Sequence, residues 1–341
     1  MKYISNKKYI SILIPVYKNH KFAIEAIDSA YKYLRFVDGI VVIDDCPEFS
    51  LLANESACFK RWPEIVYKVN SSNLGRVKNY SRLVEECSSE YFLMLDGDDL
   101  LDEFIDFNYL NSLLAKFKGI SMLAGRCQEF SENGAIRITG PRMTGLKEGL
   151  QYFLDWVGSK NMLPHNSCIM NTGLVRSIGS YSSDCINSDI VLVRNLMLKG
   201  KILGVKNIIG RWRYHGKNTS NISDMVVLAR NIDSILIPYE NLWLSKAKDS
   251  ERILWVISSI TNFIVSCGHQ IISSNGNREN FKEFNRNLFG YHEKYTPIIK
   301  IGFFIGFLKL YTLRLIVSIF GLKLFSKIMS KRGNYLYNST P

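Results

Sequence analysis

The nine residues YFLMLDGDD (91–99) join an apolar run to three aspartates, Asp96, Asp98 and Asp99. The run predicts a buried strand, and the aspartates directly follow its end. Three carboxylates within a few ångströms repel one another, and a divalent cation would relieve that repulsion. Oxygen ligands of this kind suit Mg²⁺ or Mn²⁺. From these residues alone an alternative stays equally open, in which Asp98 or Asp99 caps a helix through 104–114.

Strand and helix patterns alternate on both sides of this stretch. Apolar runs predict strands at 9–16, 39–43, 65–69, 165–170 and 203–209. Helical spacing predicts helices at 20–34, 77–86 and 188–198, followed by 224–244, 251–272 and 278–289, and a hairpin is expected at 132–134. This order is typical of an α/β fold with a mostly parallel sheet flanked by helices. Ligands bind at the carboxyl ends of the strands in such sheets, so the polar residues there are the first candidates for a site.

Four motifs in this order resemble the inverting nucleotide-sugar glycosyltransferases of family 2. They are ILIPVY (12–17), VVIDD (41–45), NLG (73–75) followed by Asn79, and FLMLDGDD (92–99), which is similar to the D-x-D metal motif of that family. The resemblance covers about residues 9–221. It implies a GT-A fold, which is Rossmann-like. The catalytic domain would span 1–221, with a nucleotide-sugar half at about 1–104 and an acceptor half at about 105–221.

The resemblance also implies roles for single residues in the first half. Asp44 would accept a hydrogen bond from N3–H of a uracil ring, with Asp45 beside it. Asp96 would contact the ribose or the metal, and Asp98 and Asp99 would bind Mn²⁺ or Mg²⁺ bridging the diphosphate. The other residues expected at the nucleotide are Pro15, Tyr17, Asn73, Gly75, Arg76, Lys78 and Gly97. Arg76 and Lys78 are also open to interpretation as ordinary surface cations.

An inverting transfer needs one general base for the acceptor hydroxyl, and the family usually supplies it from a Glu-Asp pair that opens a helix. Here Ser188-Asp189 stands in that place, so Asp189 is the expected base and Ser188 replaces the glutamate. The alternative is that Asp189 only favours the first helical turn. Asp184, five residues upstream, is a second candidate.

Two later segments complete the expected site. RWRYHGKNTS (211–220) resembles the Arg-x-His segment of the family, in which His215 would bind the metal or the diphosphate. Arg213 and Lys217 would neutralise phosphate charge. PHNS (164–167) resembles a stretch that lines the sugar and acceptor site, which adds His165 and Asn166 as candidates for contacts with the diphosphate or the acceptor.

The predicted function is metal-dependent transfer of a hexose from a nucleoside-diphosphate donor, expected to be UDP-linked. The acceptor would be a hydroxyl of a surface-glycan precursor, such as a polyprenyl-linked glycan. The alternative is a catalytically silent partner subunit that binds the nucleotide sugar, which the missing glutamate beside Asp189 suggests. A nucleic-acid partner is not expected, because the motifs of residues 1–221 place acidic side chains at the strand ends.

The positive charge of the chain is concentrated near its C-terminus. The 341 residues hold 43 Lys and Arg against 31 Asp and Glu, a net charge of +12, and after Glu293 come eight cations and no acid. A helical region, 222–341, would therefore carry a basic amphipathic tail, 294–332, made of short interfacial helices because Gly302, Gly306 and Gly321 interrupt it. No segment is expected to be long enough to cross a membrane.

These features predict a cytoplasmic enzyme held peripherally on the inner face of the cell membrane. The seven scattered cysteines contain no C-x-x-C pair and are expected to be reduced, buried thiols. The alternative for the tail is a helix pair packed on the protein, or an oligomer interface.

Overall fold

The computed structural model describes residues 7–51, 61–142, 144–157, 162–215, 224–273, 278–291 and 293–309. Lys217 and the part of the basic tail after 309 lie outside these ranges. The chain divides into two compact units. The first contains residues up to 221 together with 233–252, and the second contains 222–232 and the residues from 253 onward.

Within the described ranges, ten strands form one sheet in the first unit. The strands are β1 (Ile10–Val16), β2 (Gly39–Asp44), β3 (Val66–Val69), β4 (Tyr91–Met94), β5 (Leu100–Leu101), β6 (Met122–Ser131), β7 (Gly134–Thr139), β8 (Gly145–Glu148), β9 (Cys168–Asn171) and β10 (Lys201–Arg213). Their order is β3-β2-β1-β4-β9-β6-β10-β5, with β7 beside β6 and β8 beside β10.

The sheet is mixed. Strands β3, β2, β1 and β4 run parallel, as do β6 and β10, whereas β9 lies antiparallel between β4 and β6. All seven residues of β1 are buried because a central strand is covered on both faces. The ends of β1, β2 and β4 meet at one edge of the sheet, which brings the polar residues that follow them together.

Helices flank the sheet in the first unit and make up the described part of the second. They are α1 (His20–Tyr31), α2 (Arg76–Glu86), α3 (Phe107–Lys116), α4 (Gly149–Asp155), α5 (Thr172–Ser177), α6 (Ser188–Met197), α7 (Met225–Arg230), α8 (Asp233–Leu242), α9 (Asp249–Ser273), α10 (Arg278–Tyr291) and α11 (296–309). A C-terminal helical region is therefore present, as expected.

Several helices and strands begin or end at other residues than the sequence predicts. The strand expected at 165–170 begins only at Cys168, because His165–Ser167 form a 3₁₀ turn. The helix expected at 224–244 is two helices, α7 and α8. Asp106, rather than Asp98 or Asp99, caps α3, since its carboxylate accepts a hydrogen bond from the Tyr109 N–H at 2.9 Å. The helix-cap interpretation of the aspartate cluster is therefore wrong.

The glycines of α11 do not interrupt it within the described residues. A Cβ atom on Gly302 would lie 2.5 Å from Ile260 Cγ2, and one on Gly306 would lie 3.0 Å from Ile264. The two glycines thus let α11 pack closely against α9. The sequence predicts these glycines only as helix breakers. In the structure they allow close contact between two helices, which is the physical reason for glycine at both positions.

One described helix, α9, is long and apolar enough to cross a membrane by length and composition. Its segment Asp249–Ile272 has a mean hydropathy of 1.2, and half of that window is buried inside the protein, as is usual for a core helix. The expectation that no segment reaches this length is wrong, because residues 253–273 contain no charged side chain.

Candidate active site

A cavity of about 580 Å³ lies in the first unit where β1, β2 and β4 end. Many of the residues expected at the site line it. From the donor side these are Pro15, Tyr17, Asp45, Asn73, Gly75, Arg76, Asp96, Gly97 and Asp98, and from the later segments they are His165, Asp189 and His215. Residues that are distant in sequence therefore converge on one space.

The two aspartates at the end of β2 point in different directions. Asp44 is fully buried, and its carboxylate accepts hydrogen bonds from the Cys46 and Leu51 N–H groups and from the Tyr67 hydroxyl. It organises the loop after β2 and does not line the cavity. The structure thus corrects the expectation that Asp44 meets a nucleobase, and Asp45 is the member of the pair that reaches the cavity.

Asp45 anchors the loop that precedes α2. Its carboxylate accepts hydrogen bonds from the Leu74 and Gly75 N–H groups, each at 2.8 Å, and from the Asn70 amide. Gly75 has φ of +81°, a left-handed conformation that favours glycine. The motif NLG (73–75) therefore forms a fixed wall of the cavity.

The two cations after this loop have different surroundings. The guanidinium of Arg76 lines the cavity and donates hydrogen bonds to the Cys185 and Ile186 carbonyls at 3.0 and 2.6 Å. It thereby joins α2 to the segment just before α6. Lys78 is exposed and lies outside the cavity lining, which agrees with the surface-cation interpretation.

Asp96 is held on both of its oxygens. The Tyr80 hydroxyl donates a hydrogen bond to Oδ1, and His165 Nε2 lies 2.9 Å from Oδ2. Burial alone would lower the pKa of His165, but the Asp96 carboxylate raises it to about 9. Burial would likewise raise the pKa of Asp96, whereas the charge of His165 and the hydrogen bonds from His165 and Tyr80 lower it. The two groups form a buried ion pair at the floor of the cavity.

Asp98 forms the second carboxylate–imidazole pair of the site. Its Oδ2 lies 3.1 Å from His215 Nε2, and its side chain is 36% exposed. Burial and the nearby charge of Asp96 raise the pKa of Asp98, while the hydrogen bond from His215 opposes the shift. The ring of Phe22 on α1 packs against His215 at 5.2 Å between centroids and so fixes its position.

Three expected site residues lie beneath the cavity instead of lining it. Asp99 is 1% exposed and accepts hydrogen bonds from the Arg213 N–H and the Asn166 side-chain amide at 2.9 and 2.8 Å. Burial, with the charges of Asp96 and Asp98, raises the pKa of Asp99 well above its usual range. This corrects the expectation that Asp99 binds the metal and that Asn166 contacts the substrate, because the Asn166 amide and the Asp99 carboxylate are hydrogen-bonded to each other.

Arg213 is also a structural residue. Its guanidinium donates hydrogen bonds to the Asp98 carbonyl at 2.8 Å and to the Glu25 carboxylate at 2.6 Å, and it packs over the rings of Phe22 and Phe130. Neighbouring side chains of β10 point to opposite faces of the sheet, so Trp212 lines the cavity and Arg213 does not. The expectation that Arg213 neutralises phosphate charge is corrected on this ground.

The fit of a metal ion depends on Asp98 and His215. No three His, Cys, Asp or Glu side chains come together as a ready-made metal site within the described ranges. A hard divalent ion in a phosphate-transfer site takes one or two carboxylates, and substrate phosphates complete its shell. Asp98 and His215 fit such a site, in which most of the ligand atoms would come from substrate phosphates and water.

Asp189 stands in the first turn of α6, lines the cavity and is half-buried. Ser188 is 1% exposed, and its hydroxyl has no hydrogen-bond partner among the described residues. Asp184, the second candidate, is exposed and does not line the cavity. The geometry therefore distinguishes Asp189 from Asp184.

Several cavity residues were not among those predicted from the sequence, and Tyr80 and Trp212 are the two with the clearest roles. Tyr80 carries the hydroxyl that binds Asp96, and Trp212 offers a ring near His215. A signal for Tyr80 existed, because it lies four residues after Arg76 and thus on the same face of the helix. Trp212 could be recognised only from the direction of β10.

A family model described as glycosyl transferase family 2 matches residues 11–134, which include the end of β1, the Asp44-Asp45 pair and the Asp96–Asp99 cluster. This part of the chain is therefore similar to the family 2 glycosyltransferases. The enzyme class expected from the sequence, a glycosyltransferase, is confirmed. A comparison with curated proteins finds no match to the chain.

Solved structures share the fold across nearly the whole chain. S. aureus TarS, residues 1–349, in complex with UDP-GlcNAc has a TM-score of 0.64 at 13% identity, covering 97% of this chain and 93% of that chain. Another structure of the same TarS fragment has a TM-score of 0.61 at 12% identity with the same coverage. The mannosyltransferase PcManGT from Pyrobaculum calidifontis, in complex with GDP-Man and Mn²⁺, has a TM-score of 0.50 at 9% identity, covering 90% and 88%. The expected GT-A-like fold is confirmed.

Proposed function

We propose that this enzyme transfers a hexose from a UDP-linked donor to a hydroxyl of a surface-glycan precursor, with inversion at the sugar carbon. The observation that carries the proposal is the shared cavity, in which the Asp98–His215 pair, the Asp96–His165 pair and Asp189 face one space. Two similar folds bind nucleotide sugars, namely UDP-GlcNAc and GDP-Man. The resemblance of VVIDD (41–45) to a uracil-binding strand favours the uridine donor, with Asp45 as the aspartate of this motif that lines the cavity.

The donor would lie along the wall formed by residues 73–76, with its base near Asp45 and Tyr17. Asp98 and His215 would hold Mn²⁺ or Mg²⁺, which, when bound, supplies positive charge to the diphosphate of the leaving group. The buried Asp96–His165 pair keeps the floor of the cavity fixed, so that donor contacts are made without reorganisation. Asp99, Asn166 and Arg213 support this floor from beneath.

The chemistry is a single displacement. The acceptor oxygen forms a bond to the anomeric carbon as the bond from that carbon to the diphosphate oxygen breaks, and the nucleoside diphosphate leaves with the electron pair. Asp189 takes the proton from the acceptor hydroxyl. Arg76 joins α2 to the segment before α6 by donating hydrogen bonds to the Cys185 and Ile186 carbonyls. It thereby fixes the position of the wall at residues 73–76 relative to Asp189, the general base.

A donor screen in Mn²⁺ tests the proposal by measuring release of nucleoside diphosphate from UDP-hexoses and GDP-Man, with lipid-linked and soluble glycans as acceptors. We expect Asp189→Asn to lower turnover by about 10²–10⁴-fold with donor affinity retained, because it removes the base and keeps the shape of the side chain. Asp184→Asn is the matched control, since Asp184 is exposed and lies outside the cavity lining.

Two outcomes would overturn the proposal. Unchanged transfer by Asp189→Asn would remove Asp189 from the role of base. Binding of nucleotide sugars without transfer to any acceptor would instead support the silent partner subunit, the alternative that Ser188 in place of glutamate suggests.

A further inference from the structure

Helix α11 in the second unit presents a row of exposed apolar side chains. Ile301, Phe304, Ile305 and Leu308 are 49%, 64%, 36% and 48% exposed. Their spacing of three and four residues places them in one stripe, roughly 100° wide, along the helix. We call these four residues the apolar stripe.

The opposite face of α11 is packed. Gly302 and Gly306 lie against Ile260 and Ile264 of α9, and Ile299 is fully buried. With about 100° of rotation per residue, these positions fall on the far side of the helix from the apolar stripe. The stripe therefore points away from the contact that α11 makes with α9.

Lysines border the apolar stripe on both sides. By the same rotation, Lys300 lies next to Phe304 on one margin and Lys309 lies next to Ile305 on the other, and both lysines are exposed. No acidic residue occurs anywhere after Glu293. An apolar stripe between cations is the arrangement of a helix that lies in a membrane interface, with its lysines at the level of the headgroups.

We propose that the apolar stripe of α11 docks the protein on an anionic lipid surface. The positive charge of Lys300 and Lys309 favours a lipid surface over two other occupants, namely the C-terminal residues of the chain and a second copy of the protein. Residues 310–341 of the chain carry five cationic side chains and no acidic one, so none of their side chains has a charge opposite to that of Lys300 and Lys309. A second copy of the same face would bring lysines against lysines. Anionic headgroups supply the opposite charge, and the acyl region accepts the apolar side chains.

The test is co-sedimentation of the full-length protein with phosphatidylglycerol–phosphatidylcholine vesicles and with pure phosphatidylcholine vesicles. We expect the wild-type protein to bind the anionic vesicles, and the double variant Ile301→Glu/Phe304→Glu to bind at least about tenfold more weakly, because two buried apolar side chains are lost from the interface. Phe104→Glu is the matched control, since Phe104 is 88% exposed and belongs to the first unit.

A second variant tests the lysines without touching the apolar side chains. Lys300→Gln/Lys309→Gln should weaken binding to anionic vesicles by about fivefold for each lysine and leave binding to neutral vesicles unchanged. Circular dichroism and light scattering on each variant report its folding and oligomeric state.

Three results would overturn the proposal. The wild-type protein could fail to bind anionic vesicles. The stripe variant could bind them as well as the wild type does. The stripe variant could also lower the oligomeric state with vesicle binding unchanged, which would identify a second copy as the occupant.

Discussion

Gly97 lies between Asp96 and Asp98, which both line the cavity, and its replacement by alanine is the sharpest test of the site geometry. A Cβ atom at this position would lie 2.6 Å from the carbonyl oxygen of Pro15 and 3.7 Å from Val16 Cα. Both neighbours are backbone atoms at the end of β1, which is buried throughout. No flexible side chain is available to move aside, so the loop 96–98 or the strand must shift.

The size of the shift follows from that contact. Real Cβ atoms stay beyond 3.0 Å from such neighbours, so the backbone must separate by about 0.4 Å at least, and by about 0.8 Å for an ordinary contact. Overpacking of this kind costs about 1–3 kcal/mol of unfolding free energy. Because the displaced loop carries Asp96 and Asp98, we expect turnover to fall by about 10–100-fold.

The assay pairs thermal unfolding with release of nucleoside diphosphate. We expect Gly97→Ala to lower the Tm by a few degrees together with turnover. Gly290→Ala is the control, since a Cβ atom at Gly290 meets nothing within 4 Å and alanine favours a helix. A Gly97→Ala protein with wild-type Tm and turnover would refute the close approach between the aspartate loop and β1.

Two further predictions concern the carboxylate–imidazole pairs. Asp98→Asn should raise the Mn²⁺ concentration for half-maximal activity by at least about tenfold, whereas Asp99→Asn should lower stability and leave that concentration unchanged; equal effects on Mn²⁺ dependence would contradict the assignment. The pKa of His165 is raised to about 9, so the stability from its pair with Asp96 is fully present below about pH 6.5 and is lost as the pH rises through 9. The free energy of unfolding in urea should show this loss for the wild type and not for His165→Gln. If the unfolding free energies of the two proteins changed with pH in parallel, the result would count against the ion pair.

Much of the site could be predicted from the sequence. The apolar runs that end in Asp44-Asp45 and Asp96–Asp99 predicted where strands end, and parallel strands bring those ends to one edge. In the structure Asp45, Asp96, Asp98, Asp189 and His215 all line the cavity at that edge. Helix ends were harder to predict from the sequence, since the break between α7 and α8 has no glycine or proline to mark it.

The C-terminal glycines show a different limit. Gly302 and Gly306 predicted interruptions of a helix by local propensity, yet α11 runs through both of them. The reason is their contact with Ile260 and Ile264, which are about 40 positions away in the chain. A pattern confined to one segment carries no information about such a partner.

The sequence by itself determined the fold class, the order of the motifs and the edge of the sheet where they meet. Only the tertiary structure decided which member of each adjacent pair reaches the cavity: Asp45 rather than Asp44, Asp98 rather than Asp99, and Trp212 rather than Arg213. Successive side chains of a strand such as β10 point to opposite faces, and in the loops after β2 and β4 hydrogen-bond partners distant in sequence hold one aspartate inward. Asp99, for example, is turned inward by Asn166 and Arg213, which lie 67 and 114 positions further along the chain.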